Sequence, residues 1–298
     1  MNRKSLWIGL AAYSLWGILP LYWRLLETVD PIVILCNRVL WSAVFGVLVL
    51  AAQKRLPEVL PALRDGRLMK SLVPAAIVVT ANWGVYIWAV NCGHVLDASL
   101  GYYLNPLMSF ALGLLVFRER CGALEYAAIG VAALGVAVSA LSYGAVPYIA
   151  LAVGGLFAAY GAIKKKIHID AILGITAETL IVAPFALAYL LVSPAGQAAF
   201  SAMTLKTALL LLASGPVTAV PLMLFAQGVN DLPLSTMGLL QFVCPTLIAL
   251  TGACFLGESF TGDKIVAFAF ILAGLVLYTV GLARRERRID VPGTDSRL

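Results

Sequence analysis

Two charged residues, Arg38 and Glu178, stand inside long apolar stretches of the sequence. A charge near the centre of a membrane span costs roughly 2.5–3.5 kcal/mol on insertion scales, so it seldom occurs without a role. Arg38 could attract an anionic group of a solute, and Glu178 could take up and release a proton. We therefore predict that both serve coupling or solute recognition. The alternative is structural: each could hydrogen-bond a neighbouring helix and order its packing.

A polar stripe also points to a binding surface. Ser99, Tyr102, Asn105 and Ser109 recur at spacings of three, three and four residues, which places them on one face of a helix. Uncharged polar groups in hydrocarbon either bond one helix to another or line a wet cavity. We predict a cavity here, with packing between helices as the alternative.

Further amide and aromatic side chains extend this prediction to other helices. The residues predicted to bind a solute are Trp16, Asn82, Asn91, Tyr102, Asn105, Tyr160 and Gln241, and those predicted to couple transport are Arg38 and Glu178. Trp16 and Tyr160 would supply aromatic walls, and the amides would supply donors and acceptors.

Motifs for catalysis or metal binding are absent from the sequence. There is no HExxH zinc motif and no aspartate pair that would hold magnesium, and the two histidines lie far apart in sequence. The five cysteines form no CxxC pair and are interpreted as small buried apolar residues. We predict no catalytic residue, metal or cofactor. The absence of a GxxxxGK[ST] loop leaves a proton or solute gradient as the energy source.

The elements that carry these residues are apolar segments of membrane-spanning length. The chain has 298 residues, of which 61% are hydrophobic and 12% charged, against roughly 25% charged in ordinary globular domains. A bilayer core of about 30 Å needs about 20 apolar residues per helix. We expect an all-α membrane protein with ten transmembrane helices near residues 5–22, 33–52, 72–91, 98–117, 123–141, 146–162, 171–192, 207–227, 235–256 and 264–282.

The distribution of basic residues predicts an orientation. With ten spans and both termini inside, 17 of the 21 Lys and Arg residues fall inside, and only Arg24, Lys206 and Lys264 fall outside. Such a bias follows the positive-inside rule for the cytoplasmic side. The net charge of +6 is therefore a topology signal, and no nucleic-acid partner is expected.

The two halves of the sequence repeat one another. A shift of 139 residues takes Pro106 to Pro245 and Glu119 to Glu258, and a shift of 140 pairs Arg38 with Glu178. Five spans in each copy force the copies into opposite orientations, which is the architecture of secondary transporters. We expect a first repeat at 1–143, a second, inverted repeat at 144–282, and a short basic cytoplasmic tail at 283–298.

Two spans are predicted to be interrupted. The third carries Asn82-Trp83-Gly84, and the eighth carries Gly215-Pro216 and Pro221. Interrupted spans at matching positions of two halves often mark a transport site. The alternative is a packing kink that binds no ligand.

Several segments together resemble a known family. They are AAYSLWGILPLYWRL, NRVLWS, NWGVYIWAVNCGHVLDASLGYYLNPL, AYGAIKKKI, ETLIVAP, GPVTAVPL and GESFTGDKIVAF, and the likeness extends over about residues 5–282. They resemble the RarD-type permeases of the EamA branch of the drug/metabolite transporter superfamily. The family's recurring residues match at Arg38, Asn82, Trp83, Trp88, Asn91, His94, Asn105, Pro106, Glu119 and Glu178. A glutamate often stands in the family where this chain has Asp97, a change that keeps the charge.

The resemblance implies a carrier of ten helices in the bacterial inner membrane. We therefore expect a secondary transporter that moves a small organic solute, drug or metabolite by alternating access, with the lipid bilayer, the solute and protons as partners. A non-transporting membrane scaffold or a channel is the alternative. An intramembrane enzyme is disfavoured because its motifs are missing. The family label, chloramphenicol-sensitive permease, fixes neither the solute nor the direction of transport.

Overall fold

The computed structural model describes residues 3–117, 123–143, 146–164, 167, 169–231 and 240–289. This part of the chain is helical, apart from short turns and loops. Its α-helices are α1 (Arg3–Arg24), α2 (Pro31–Ala52), α3 (Val59–Arg64), α4 (Gly66–Asn91), α5 (Val95–Phe117), α6 (Ala123–Tyr143), α7 (Tyr148–Lys164), α8 (Ala171–Val192), α9 (Pro194–Ser201), α10 (Leu205–Asp231), α11 (Val243–Phe255) and α12 (Gly262–Ile289). A 3₁₀ turn at Leu56–Glu58 precedes α3.

Four helical stretches in the described residues are long and apolar enough to cross a membrane, namely Pro31–Ala52, Gly66–Asn91, Ala171–Val192 and Leu205–Phe225. Shorter apolar helical stretches lie at Tyr126–Gly135, Tyr148–Lys164, Val243–Phe255 and Phe268–Gly281. Glu119, Cys121, His168, part of the Ser142–Pro147 loop and the end of the basic tail lie outside the described residues.

Capping residues fix the starts of two repeat-related helices. Asp30 precedes α2 and accepts hydrogen bonds from the backbone N–H groups of the second and third helical residues. Asp170 does the same for α8. An aspartate at this position satisfies backbone donors that have no partner within the helix. The pair that the 140-residue shift brings together therefore has the same structural role in each half.

Helix packing follows a paired pattern when the long helices of the two halves are matched in order. α5 packs along α7, and its counterpart α11 packs along α1. α2 packs along α10, and α8 along α4. The matched helices α2 and α8 contact each other directly, and so do α6 and α12.

Small residues allow the closest of these approaches. A Cβ atom on Gly101 of α5 would lie 2.7 Å from the Ala150 carbonyl oxygen, and one on Gly154 of α7 would lie 2.7 Å from the Gly101 carbonyl oxygen. Contacts this short leave no room for a side chain, so glycine sets the distance between α5 and α7.

One end of the bundle is closed by a layer of fully buried side chains. This closing layer consists of Trp23, Leu26, Ile34, Val90, Val95 and Leu211, each at most 2% exposed. It joins the end of α1 and the turn after it, the end of α4, the first turns of α2 and α5, and the second turn of α10. The same cluster continues inward through Leu19, Tyr86 and Ile248.

Candidate functional site

A cavity of about 390 Å³ lies beneath the closing layer, between helices of both halves. This volume is in the range of small-molecule sites, roughly 300–1,000 Å³. Seven of the nine residues singled out from the sequence line it: Trp16, Arg38, Asn82, Tyr102, Asn105, Tyr160 and Gln241. Their roles remain predictions, but the structure brings them together.

Arg38 is the charged group at the inner face of the closing layer. Its side chain is buried, and its guanidinium carbon lies 4.1 Å from the centroid of the Trp83 ring and 5.1 Å from that of Trp23. A guanidinium that faces an aromatic ring gains roughly 2 kcal/mol or more when it is desolvated. The Arg38 Nε donates to Thr218 Oγ1 at 3.0 Å, whereas Nη1 has no hydrogen-bond partner among the described residues.

Thr218 is held in place by its own helix. Its hydroxyl donates to the Ser214 carbonyl at 2.9 Å, so its oxygen is oriented to accept from Arg38. Arg38 lies on α2 and Thr218 on α10, so this hydrogen bond links the two halves of the sequence.

Two groups of aromatic rings form much of the cavity wall. Tyr13, Trp16 and Phe225 make a triangle whose ring centroids lie 5.6–5.9 Å apart. On other helices, Tyr86, Tyr102, Phe157 and Tyr160 form a chain of rings with successive centroids at 5.6, 6.1 and 6.1 Å. The wall therefore offers flat apolar surfaces on α1 and α10 and on α4, α5 and α7.

Glu178 belongs to a second charged cluster. Lys164 Nζ donates to one carboxylate oxygen at 2.7 Å, and the Tyr160 hydroxyl donates to the other at 3.0 Å. The Glu178 side chain is fully buried, and that of Lys164 is 23% exposed. Glu178 does not line the cavity itself, although both of its partners do. Its cation is therefore Lys164, and no direct pair with Arg38 forms among the described contacts.

The polar stripe of α5 divides between packing and the cavity. Ser99 donates to the Pro245 carbonyl at 2.7 Å and so ties α5 to α11. Tyr102 and Asn105 line the cavity, and Asn105 accepts a hydrogen bond from Ser109 at 3.3 Å. Asn82 has both functions: it lines the cavity and donates to the Val153 carbonyl at 2.8 Å. Within the stripe of α5, Ser99 therefore serves helix packing, whereas Tyr102 and Asn105 line the cavity.

Asn91 does not join the other predicted binding residues. It ends α4, it does not line the cavity, and its side-chain amide has no hydrogen-bond partner among the described residues. Its backbone carbonyl accepts from Arg24 at 3.4 Å. Nine residues separate Asn91 from Asn82, about two and a half turns, so the two amides lie on opposite faces of one helix.

The predicted interruptions of the third and eighth spans are absent. α4 runs without a break through Asn82-Trp83-Gly84, and α10 runs through Pro216 and Pro221. A proline removes one backbone hydrogen bond and kinks a helix, but neighbouring groups can satisfy the freed carbonyl within a bundle. Gly215 instead permits close packing, because a Cβ atom there would clash with the Trp41 carbonyl oxygen on α2. Gly215 therefore serves the packing of α10 against α2, whereas Thr218 and Phe225, further along the same helix, line the cavity.

Several cavity residues were not singled out from the sequence. Lys164 stands in a run of three lysines that was interpreted only as a topology signal. Tyr86 could have been found, because it lies four residues after Asn82 and so on the same face of α4. Tyr13 and Phe225 carry no signal beyond aromaticity.

Two cysteines differ from the prediction that all of them are buried, because Cys92 and Cys254 are exposed. Every cysteine in the described residues is free, so none of them forms a disulfide there.

Similarity to known proteins agrees with this architecture. A family model described as the EamA-like transporter family matches residues 3–141. The chain is 40% identical to the uncharacterized transporter YojE of Bacillus subtilis (strain 168), over 96% of this chain and 97% of that protein. It is 38% identical to Protein RarD of Salmonella typhimurium, over 96% of this chain and 98% of that protein.

A solved crystal structure shares the fold. Its chain is 19% identical, with a TM-score of 0.60, and the match covers 96% of this chain and 100% of that chain. The family model and the full-length relatives at 36–40% identity identify the chain as a RarD-like, multi-pass membrane protein that belongs to the EamA-like transporter family.

Proposed function

We propose that the protein is a secondary transporter that moves a small organic solute across the bacterial inner membrane by alternating access. The observation that carries this proposal is the cavity: it lies between the two halves, it has a buried arginine and aromatic walls, and it is closed at one end. A site enclosed between two packed halves can be exposed to either side by rocking of those halves.

The proposed architecture is ten transmembrane helices in two inverted five-helix repeats, 1–143 and 144–282, followed by the basic tail. The paired helix contacts and the equivalent caps at Asp30 and Asp170 support it. Both termini would lie in the cytoplasm, as the basic residues predict. An ion pair at 3.3 Å between Arg55 and Asp170 agrees, because it requires the chain after α2 and the start of α8 to share one side.

In this orientation the closing layer lies at the periplasmic end. A channel is defined by a continuous pore. Here the six fully buried side chains of the closing layer separate the cavity from that end of the bundle. This supports a carrier rather than the channel alternative. For the solute to leave at the periplasmic end, α1, α2, α4, α5 and α10 must separate at these residues.

The proposed solute-binding residues are those predicted residues that line the cavity, with Asn91 left out. Arg38 would bind the solute, and Glu178 would couple its movement to a proton. When Lys164 withdraws from Glu178 during rocking, the buried carboxylate would lose its counter-charge and gain a proton. When Lys164 returns, the proton would leave. Lys164 is partly exposed at the end of α7, so it has the freedom to withdraw.

Glu178→Gln tests this coupling. We expect the variant to lose solute accumulation driven by a proton gradient but to retain exchange of labelled for unlabelled solute, because glutamine can keep the Tyr160 hydrogen bond but cannot titrate. The measurement is flux in proteoliposomes, with a solute first found by a thermal-shift screen of metabolites and antibiotics. Normal accumulation by the variant would refute a coupling role, and absence of saturable flux in the parent protein would favour a scaffold.

A further inference from the structure

The charges that face the cavity do not balance. Among the described residues, two cationic side chains line it, Arg38 and Lys164, and no aspartate or glutamate does. The carboxylate of Glu178 neutralises Lys164 at 2.7 Å. Arg38 has no carboxylate within ion-pair distance among the described residues, so the cavity carries one uncompensated positive charge. A buried charge is stable only if it finds a counter-charge and hydrogen-bond acceptors.

Two of the cavity-lining residues, Arg38 and Tyr86, carry hydrogen-bond donors that no described residue accepts. Arg38 Nη1 and the Tyr86 hydroxyl are both buried, neither has a hydrogen-bond partner in the part of the chain that the structure describes, and both residues line the cavity. The guanidinium is fixed between Thr218 on its Nε and the rings of Trp83 and Trp23 on its faces. A rigid guanidinium with a free N–H matches a carboxylate, which accepts hydrogen bonds at two oxygens.

The remainder of the cavity suits an apolar body. The Tyr13–Trp16–Phe225 triangle offers flat faces, and Tyr102 and Phe157 form a wall on other helices. Aromatic side chains stack on planar groups in offset or edge-on geometry. An ion without such a body would leave these surfaces uncovered.

We propose that the solute is a small organic monoanion, with a carboxylate that binds Arg38 and Tyr86 and an aromatic or apolar body that packs against the ring triangle. This inference rests on the proposed transport function for its biological meaning, but the ligand class can be tested by binding alone. It places uncharged drugs and cationic amines among the poor ligands of this cavity.

The test is a set of matched ligand pairs. Aryl carboxylates such as benzoate, phenylacetate and indole-3-acetate are compared with their own primary amides by thermal shift and by competition binding to the purified protein. We expect at least one carboxylate to bind, and each carboxylate that binds should do so at least about tenfold more tightly than its amide, because only the anion pairs with the guanidinium. Failure of every carboxylate to bind, or equal binding of the amides, overturns the proposal.

Variants locate the effect. Arg38→Met should abolish carboxylate binding, and Arg24→Met is the matched control, because Arg24 pairs with Glu27 in an exposed i, i+3 contact outside the cavity. Should Arg38→Met fail to fold, Tyr86→Phe replaces it as the test. Because the buried Tyr86 hydroxyl has no partner among the described residues, its removal should leave the free energy of unfolding unchanged or raise it. The same change should weaken carboxylate binding roughly tenfold. If the Tyr86→Phe variant and the Arg38→Lys variant each bind the carboxylate as tightly as the parent protein does, the proposal is overturned.

The ligand class and the transport function can fail separately. Saturable flux of an uncharged solute would support the proposed transport function but contradict the proposal that the solute is a monoanion. Carboxylate binding that depends on Arg38, without any flux, would support the monoanion as the ligand but contradict the transport function.

Discussion

Replacement of Lys164 with methionine should destabilise the protein by about 3–5 kcal/mol, the usual cost of leaving one partner of a buried ion pair without the other. Glu178 is fully buried, and Lys164 supplies its counter-charge at 2.7 Å. The Tyr160 hydroxyl would remain as a donor at 3.0 Å, but a neutral donor cannot balance the charge. The free energy of unfolding in mixed detergent micelles measures the loss.

The double variant Lys164→Met/Glu178→Gln distinguishes this cause from lost packing. With the carboxylate removed as well, most of the stability should return, since a buried ion pair is often replaceable by neutral groups. Lys206→Met, at an exposed position on α10, is the control and should change unfolding by less than about 0.5 kcal/mol. Equal losses in the single and double variants would show that Lys164 matters for its aliphatic chain rather than its charge.

Gly215→Ala should lower the free energy of unfolding by about 1–3 kcal/mol, a typical cost of overpacking. The added methyl group would clash with the Trp41 carbonyl oxygen and lie 2.6 Å from the carbonyl carbon, and backbone atoms cannot rotate away. α10 would have to shift from α2, which would also stretch the hydrogen bond between Arg38 and Thr218.

Gly161→Ala is the matched control for this prediction. A Cβ atom at Gly161 meets nothing within 4 Å, and the residue lies inside α7. Alanine is favoured over glycine in a helix by up to about 1 kcal/mol. The free energy of unfolding of this variant should therefore equal or exceed that of the parent protein. If both variants behave alike, the contact between α2 and α10 is looser than the structure indicates.

Many residues of the candidate site could be predicted because membrane burial restricts which residues are tolerated. Arg38 and Glu178 stand out from the cost of a charge in a span, and Tyr102 and Asn105 from helical spacing. The same spacing argues against Asn91, because nine residues place it on the far side of α4 from Asn82. The prediction for Asn91 counted amides within a span without following the helical period, and the structure places Asn91 outside the cavity lining.

Other features depend on how helices meet, which sequence spacing does not specify. In the sequence, nothing distinguishes Lys164 from the two lysines that follow it. Its role depends on the positions of α7 and α8 in the fold, which place Lys164 next to Glu178. The proline-containing eighth span was predicted to be interrupted, but a proline in a packed bundle can remain within a continuous helix. Most of the helices follow the predicted apolar stretches closely, because each must bury a long run of apolar residues. The exception is α11, which begins at Val243 although the stretch was predicted from residue 235, and residues 232–239 lie outside the described part of the chain.

The central claim, that one cavity serves both sides of the membrane in turn, is tested most directly by thiol accessibility. Tyr102→Cys, Asn105→Cys and Gln241→Cys are introduced singly into a chain from which the native cysteines have been removed, since Cys92 and Cys254 are exposed. A membrane-impermeant thiol reagent is then applied to right-side-out and to inside-out vesicles. We expect each cysteine to react from either side, with bound solute slowing both reactions. Reaction from one side only, under every condition, would contradict alternating access, and reaction from neither side would assign these residues to packing.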